Sequence, residues 1–505
     1  MVYQPQILEQ FYEEKEQNPL SKSILVASIA AGVQYGWALQ LSLLTPYIQL
    51  LGVPHKWAAF VWLCGPISGL LIQPTVGYYS DRCTCRFGRR RPYIVAGAFM
   101  IFVAVILISF AADIGKVLGD SLDQGMKPMS VTIFVLGFWV LNIGNNTLQG
   151  PCRALLANIS GRDETMLRVS DAMFAFFMAI GNLLGYAAGS YSNLYKHFPF
   201  TQTEACDDYC ANLKTCFLFS ITIPSIVTTF AVILVKEEPF VAPIENNISI
   251  VTLGKGEEAV VPTGFFQQFA LALKSLSKPM WILLLVTSLN WTGWFPFLLY
   301  DTDWMGKEVY GGRVGGTSVE KELYHEGVSA GALGLVWYVL TLAITSLAME
   351  PLVQVLGGIK QMWGLGNFLL AIGMAMTVVI TYMADHARSV AAITASTVGN
   401  ANYLVPPPPE VKWASLCLFA LLGIPQAVTY SLPFALTSII SSSVGAGQGL
   451  ALGVLNLSIV IPQVVVAMVS GPLDAFFGGG NLPAFVMGGI SAALRGVFSL
   501  AWLST

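Results

Sequence analysis

Charge is scarce in this sequence. Only 11% of its 505 residues are Asp, Glu, Lys or Arg, against roughly 25% in soluble globular proteins. The 26 basic and 29 acidic residues leave a net charge of −3, and the basic ones are scattered, so no nucleic-acid partner is expected. Histidine occurs four times, without a Cys/His cluster at metal-ligand spacing, and no Gly-Lys phosphate loop is present. Those absences disfavour an enzyme, an ATP-driven pump, and any metal or cofactor. The opening "MVYQPQILEQFYEEKEQNPLSKS" is acidic where a secretion signal is basic, and reads as a cytosolic tail over residues 1–23.

What replaces charge is oil. Hydrophobic residues make up 55% of the chain, and its mean hydropathy is +0.65. A helix needs about 20 apolar residues to cross a bilayer. Twelve segments qualify, near 24–51, 57–79, 92–112, 131–158, 167–193, 215–235, 281–304, 330–351, 361–384, 412–440, 447–471 and 481–503. The fold class is therefore an all-α membrane protein, and segments of that length exclude a β-barrel. Runs such as "GNLLGYAAGS" would let helices pack closely.

Arg82, Arg86, Arg89, Arg90 and Arg91 crowd the loop between the second and third segments, which places that loop in the cytosol. An even number of crossings brings both termini to the same side. The stretch 237–280 divides the segments six and six. Its end, "FFQQFALALKSLSKPM", suggests an amphipathic helix on the inner surface. A six-helix bundle over 24–236, a cytosolic loop over 237–280 and a second bundle over 281–505 match the major facilitator architecture, whose substrate sits between the halves. "GYYSDRCTCRFGRRR" resembles that superfamily's loop signature with four residues inserted. Asp81 there is suited to cap a neighbouring helix and to pair with Arg82, Arg89 or Arg90 as a gate latch.

The fourth segment carries Asn142, Asn145, Asn146, Gln149 and Arg153. At 100° per residue, Asn142, Asn146, Gln149 and Arg153 fall within about 60° of arc, with Asn145 beside them. Interhelical amide glue explains one or two of these but not a buried arginine on the same line. Ionisable groups at membrane depth mark substrate or ion pathways. In the first segment Gln40, Tyr35 and Trp37 suit a disaccharide, amides for hydroxyls and rings for the apolar pyranose face. The seventh offers a second stripe, Asn290, Trp294, Phe297 and Asp301, with Pro296 as a kink.

"VQYGWALQLSLLTPYIQLLG", "SDRCTCRFGRRRP", "NNTLQGPCRALLA", "FFMAIGNLLGYAAGSYSNLYK" and "NWTGWFPFLLYDTDWMGKEVYGG" strongly resemble the plant sucrose transporters, proton-coupled members of the major facilitator superfamily, across nearly the whole chain. The resemblance implies sucrose and related glucosides as substrate and protons as the coupling ion. It implies an aspartate at position 142 as proton carrier, with Arg153 as its partner. Asn142 stands there instead, keeping shape and hydrogen bonding but unable to titrate. Either this is an Asp-to-Asn substitution that binds sugar yet impairs coupling, the reading favoured here, or a natural departure giving an uncoupled facilitator. A sugar sensor would be expected to carry an extended signalling loop or tail.

The resemblance further implies functional roles for Asp303, Lys307 and Glu308, with Lys307 replacing an arginine, and for His55 near the sugar's outer entrance. Asp171 replaces the family's usual Asn and is expected to cap the fifth segment, the alternative being an anion for Arg153. Cys206, Cys210 and Cys216 lie in a loop placed outside, where a disulfide is expected without its pairing being readable. Cys64, Cys152 and Cys417 read as packing residues, and Cys83 and Cys85 as free cytosolic thiols. Sequons at Asn145, Asn158, Asn247, Asn290 and Asn456 fall in segments or on the inner side, so no glycan is expected. A monomer in the plasma membrane is expected, the vacuolar membrane being the alternative.

Overall fold

Backbone that has no water to bond with must satisfy itself, and helices do so within one segment. The computed structural model describes residues 19–40, 51, 64–121, 127–161, 163–190, 194–206, 208–237, 250–253, 257–260, 270, 273–274, 276–313, 317–397, 406–444, 448–477 and 480–502. The first segment is a broken pair, α1 (Pro19–Ala27) and α2 (Ile29–Leu39), with the Ser28 hydroxyl between them donating to the Leu25 carbonyl at 2.7 Å. Next come α3 (Cys64–Asp81), α4 (Arg91–Ser109), the short α5 (Ala111–Val117), α6 (Pro128–Ser160), α7 (Glu164–Ser190) and α8 (Asp208–Leu234). The second series is α9 (Lys278–Trp304), α10 (Ser318–Leu347), the short α11 (Met349–Val355), α12 (Ile359–Thr397), α13 (Pro409–Val444), α14 (Gln448–Phe476) and α15 (Leu482–Trp502). A π-helical turn, Met305–Val309, extends α9.

Ten helices among the described residues are long and apolar enough to cross a membrane. The α1–α2 pair and α3, which Gly, Pro, Ser and Gln dilute, occupy the other two expected segments. The chain is an all-helical, multi-pass membrane protein.

Boundaries move where polar chemistry extends a helix past its apolar core. The α10 helix starts at Ser318 rather than 330 because Thr317 and Glu320 form a capping box, Thr317 N–H donating to Glu320 at 2.7 Å. The α12 helix continues to Thr397 rather than 384. In the central stretch, β1 (Ile250–Leu253) and β2 (Glu257–Val260) pair antiparallel, a local exception to the all-helical expectation that the β-branched Ile250, Val251, Thr252 and Val260 favour. Most of the expected amphipathic helix lies outside the described residues, and Lys278–Met280 instead open α9.

Among the described residues two large apolar cores form, beside a small cluster of Ala157, Leu167 and Ala435. One draws on residues between Val26 and Val235, the other on residues between Met280 and Ala492 together with Ala172 and Ala179 of α7. Helix α7 therefore lies at the seam. It meets α2 at glycines: a Cβ on Gly181 would fall 2.2 Å from the Ala31 carbonyl oxygen. Across the seam α3 meets α14 just as closely, Gly77 having room for no Cβ against the Gly449 carbonyl at 2.2 Å.

Cys206 and Cys210 form the disulfide, and Cys216 stays free, its thiol donating to the Ala188 carbonyl at 3.4 Å. Cys64 and Cys152 are buried, whereas Cys417 is exposed on α13, contrary to its expected packing role. Apolar sequence marks lipid-facing and core-facing positions alike, so composition does not separate them.

Candidate functional site

The α6 stripe is present, and its members divide by how fully they are satisfied. Asn146 is glue: its Nδ2 donates to Ser68 Oγ at 2.9 Å, and its Oδ1 accepts from Gln73 Nε2 at 2.8 Å. Asn142 is fully buried; its Nδ2 donates to the Phe138 carbonyl at 2.9 Å while its Oδ1 has no partner among the described residues. Asn145 Nδ2 is likewise unpaired, and Gln149 is half-buried. A Cβ on Gly65 of α3 would stand 3.4 Å from both Asn142 Oδ1 and the Trp37 ring, so the free oxygen and the indole share one corner.

Gln40, fully buried at the end of α2, has no partner for either amide atom among the described residues. Tyr35 is buried in the first apolar core, its backbone against Gly185. Two residues are 200° apart on a helix, so Tyr35 and Trp37 point opposite ways. His55 lies outside the described residues.

The second stripe differs from expectation. Asn290 Nδ2 donates to Thr429 Oγ1 at 3.1 Å and Trp294 Nε1 donates to the same oxygen at 3.0 Å, so both close on α13 rather than waiting for a ligand. The neighbouring Trp291 keeps an unpaired indole N–H, its ring 6.3 Å from Tyr430. Asn182 Oδ1 on α7 and the Tyr338 hydroxyl on α10 are also buried and unpaired. No local pattern marked these three, because each is defined by what fails to meet it.

Arg153 is buried where α6, α7 and α13 converge. Its Nη1 donates to Asp171 Oδ1 at 2.9 Å and its Nη2 to the Tyr430 carbonyl at 3.1 Å. The guanidinium lies between the rings of Phe174, at 4.1 Å, and Phe434, at 3.5 Å. Asp171 is thus the anion for Arg153 and not a cap. Asp163 does the capping, accepting from Thr165 and Met166 N–H at 2.9 and 3.1 Å.

Asp81 joins the two series of helices. Its carboxylate accepts from Gly449 N–H at 3.1 Å and Leu450 N–H at 2.9 Å, in the first turn of α14, where the helix dipole favours an anion. Arg90 pairs with Asp81 and donates to Ser80 Oγ at 2.6 Å, and its backbone N–H donates to Glu237 at 2.7 Å. Arg89 reaches Asn158 Oδ1 at 3.3 Å. Arg82 instead folds back onto Tyr78 of its own helix, 3.9 Å over the ring. At the same end Arg168 of α7 meets Glu350 of α11 with two hydrogen bonds, at 2.9 and 3.0 Å. The guanidinium holds the Glu350 carboxyl below its usual range.

At the other end Asp303 accepts from Lys307 at 2.7 Å, the Tyr324 hydroxyl at 2.9 Å and Asn481 Nδ2 at 2.9 Å. Glu308 Oε1 accepts from Asn481 N–H at 2.6 Å, and Arg388 donates to the Glu308 and Val309 carbonyls at 2.7 Å each. The three residues thus anchor the head of α15 and the end of the π-helical turn. Among the described residues no group of three or more His, Cys, Asp or Glu is placed to hold a metal.

Residues 23–295 match the family model described as MFS/sugar transport protein. The chain is 46% identical to the sucrose transport protein SUC4 of Arabidopsis thaliana, covering 95% of this chain and 90% of that one. It is 43% identical to the sucrose transport protein SUT2 of Oryza sativa subsp. indica, covering 96% and 93%. Among solved structures it superimposes on the major facilitator superfamily transporter FucP in the outward conformation, with a TM-score of 0.61, 13% identity, and 96% and 98% coverage. A bacterial homologue of the iron transporter ferroportin, outward-facing, gives a TM-score of 0.60 at 14% identity, covering 97% and 100%. At such identities these structures establish the fold alone.

Proposed function

Since the chain belongs to the MFS/sugar transport protein family, and within it to the sucrose transport proteins, we propose that it carries sucrose and related glucosides across a membrane by alternating access. The observation that carries this reading is the set of buried polar atoms on Gln40, Asn142, Asn145, Asn182 and Trp291 that have no partner among the described residues. A buried polar atom left unpaired costs about 1–3 kcal/mol, which an uncharged ligand rich in hydroxyls recovers. Trp37 beside Asn142 supplies a ring for the apolar sugar face.

Asp81 and the Arg168–Glu350 pair close one end of the path between the two helix series. Positive-inside logic assigns that end to the cytosol with both termini, and we assign the protein to the plasma membrane as a monomer. Protons are the proposed coupling ion. A second reading, an uncoupled facilitator, is favoured by the amide at Asn142, which cannot titrate.

Uptake of labelled sucrose into proteoliposomes tests the proposal. Saturable uptake, competed by glucosides and not by charged sugars, is the expected result. Preference for an unrelated solute would overturn it.

A further inference from the structure

We propose that Asp171 is the residue that carries the coupling proton in this transporter, in place of Asn142; the inference rests on the sugar-transport reading above. Among the positions that depart from the pattern that the chain resembles, two concern Arg153, an Asn at 142 and an Asp at 171. Taken singly, the first would strand Arg153 without an anion. Taken together they are one exchange, in which the carboxylate leaves α6 and reappears on α7. The geometry fits the exchange, because Asp171 Oδ1 lies 2.9 Å from Arg153 Nη1 and both side chains are almost entirely buried, 4% and 7% exposed.

A coupling residue needs a charge state to which the contact between the halves responds. Asp171 has one through Arg153. When Asp171 is ionised, Arg153 is shared between α7 and α13, held by the carboxylate, the Tyr430 carbonyl and the Phe174 and Phe434 rings. A proton taken from external water onto a carboxylate oxygen removes the ionic attraction, leaving Arg153 to the Tyr430 carbonyl and the Phe174 and Phe434 rings. Its release to water on the other side restores the pair. No bond other than that O–H forms or breaks. Among the described residues the titratable groups around Asp171 are Arg153 and the Cys152 thiol on α6, and Tyr430 on α13, reached through Arg153.

The other buried acids serve less well. Asp81 is committed to the α14 backbone and Arg90, and Asp120 to the Met129 and Ser130 N–H groups. Asp301 accepts from Thr302 N–H at 2.5 Å and has no cationic partner among the described residues, so its protonation would release nothing.

The test measures sucrose accumulation in proteoliposomes under an imposed gradient, with sucrose counterflow, which needs no gradient, as the control for a folded carrier. One proton per sugar and one pH unit permit about tenfold accumulation. Wild type should approach that ratio. Asp171→Asn should fall to a ratio near unity while counterflow persists, and Asn142→Asp combined with Asp171→Asn should recover accumulation with the acid back on α6. Accumulation persisting in Asp171→Asn overturns the proposal, and its loss in Asp301→Asn instead names the rival. If Asp171→Asn fails to fold, the double variant decides: counterflow without accumulation there also overturns it. Wild-type counterflow without accumulation overturns the coupling role while sugar transport stands, and no sucrose movement at all overturns both.

Discussion

Arg168 grips Glu350 with two hydrogen bonds across 182 positions of sequence, joining α7 of the first helix series to α11 of the second. Glu350→Gln should weaken that closure by about tenfold in equilibrium, the scale of one hydrogen bond to a charged group. The pH sense is fixed by the depressed carboxyl of Glu350. A carboxyl held low contributes fully above its ordinary value, about 4.3, and loses its contribution only as pH falls through the lowered one. Any acid stimulation of uptake between about pH 5 and 7 therefore does not come from this pair. The uptake profile of Glu350→Gln should keep the wild-type shape there, and a flattened profile would contradict this assignment.

Asp81 bonds two backbone N–H groups of α14 as well as Arg90. Asp81→Ala should lower uptake by about tenfold or more, the scale of losing charged hydrogen bonds, at unchanged protein level. Undiminished turnover would remove this latch from the transport cycle.

Gln40 and Asn290 are both buried amides with opposite bookkeeping. Neither amide atom of Gln40 has a partner among the described residues, whereas Asn290 shares Thr429 with Trp294. Gln40→Ala should cost about 1–3 kcal/mol of sugar binding, read as a raised apparent KM with Tm unchanged. Asn290→Ala should do the reverse, lowering Tm with KM nearly constant. The opposite pairing of effects would exchange their roles.

Eight cysteines are present and six are free. Mass labelling after denaturation without reductant should add six alkyl groups, and eight after reduction. Cys216 should label in both cases and Cys206 only in the second.

How much of this was legible in the sequence follows the range of each interaction. Hydropathy reads the lipid's demand residue by residue, so every apolar segment holds helix. Asp81 was legible because spaced Asp, Gly and Arg residues mark a loop with a fixed task. The tie from Arg153 to Asp171 was not, since a residue near a helix start reads as a cap until Asp163 is seen occupying that role. Nor was the division of the α9 stripe. Thr429, 139 positions from Asn290, decides that Asn290 and Trp294 are filled and leaves Trp291 to offer its N–H.

Gly77 and Gly449 set backbone against backbone where α3 crosses α14. At that point the two backbones touch directly, and the ties that must break for the helices to part are hydrogen bonds, from the Gly449 and Leu450 N–H groups to Asp81 and from Asn456 to the Gly69 carbonyl. A single methyl at Gly77 is a wedge in that contact. It would prop the crossing open and leave the carrier facing one side of the membrane, with its sugar contacts untouched.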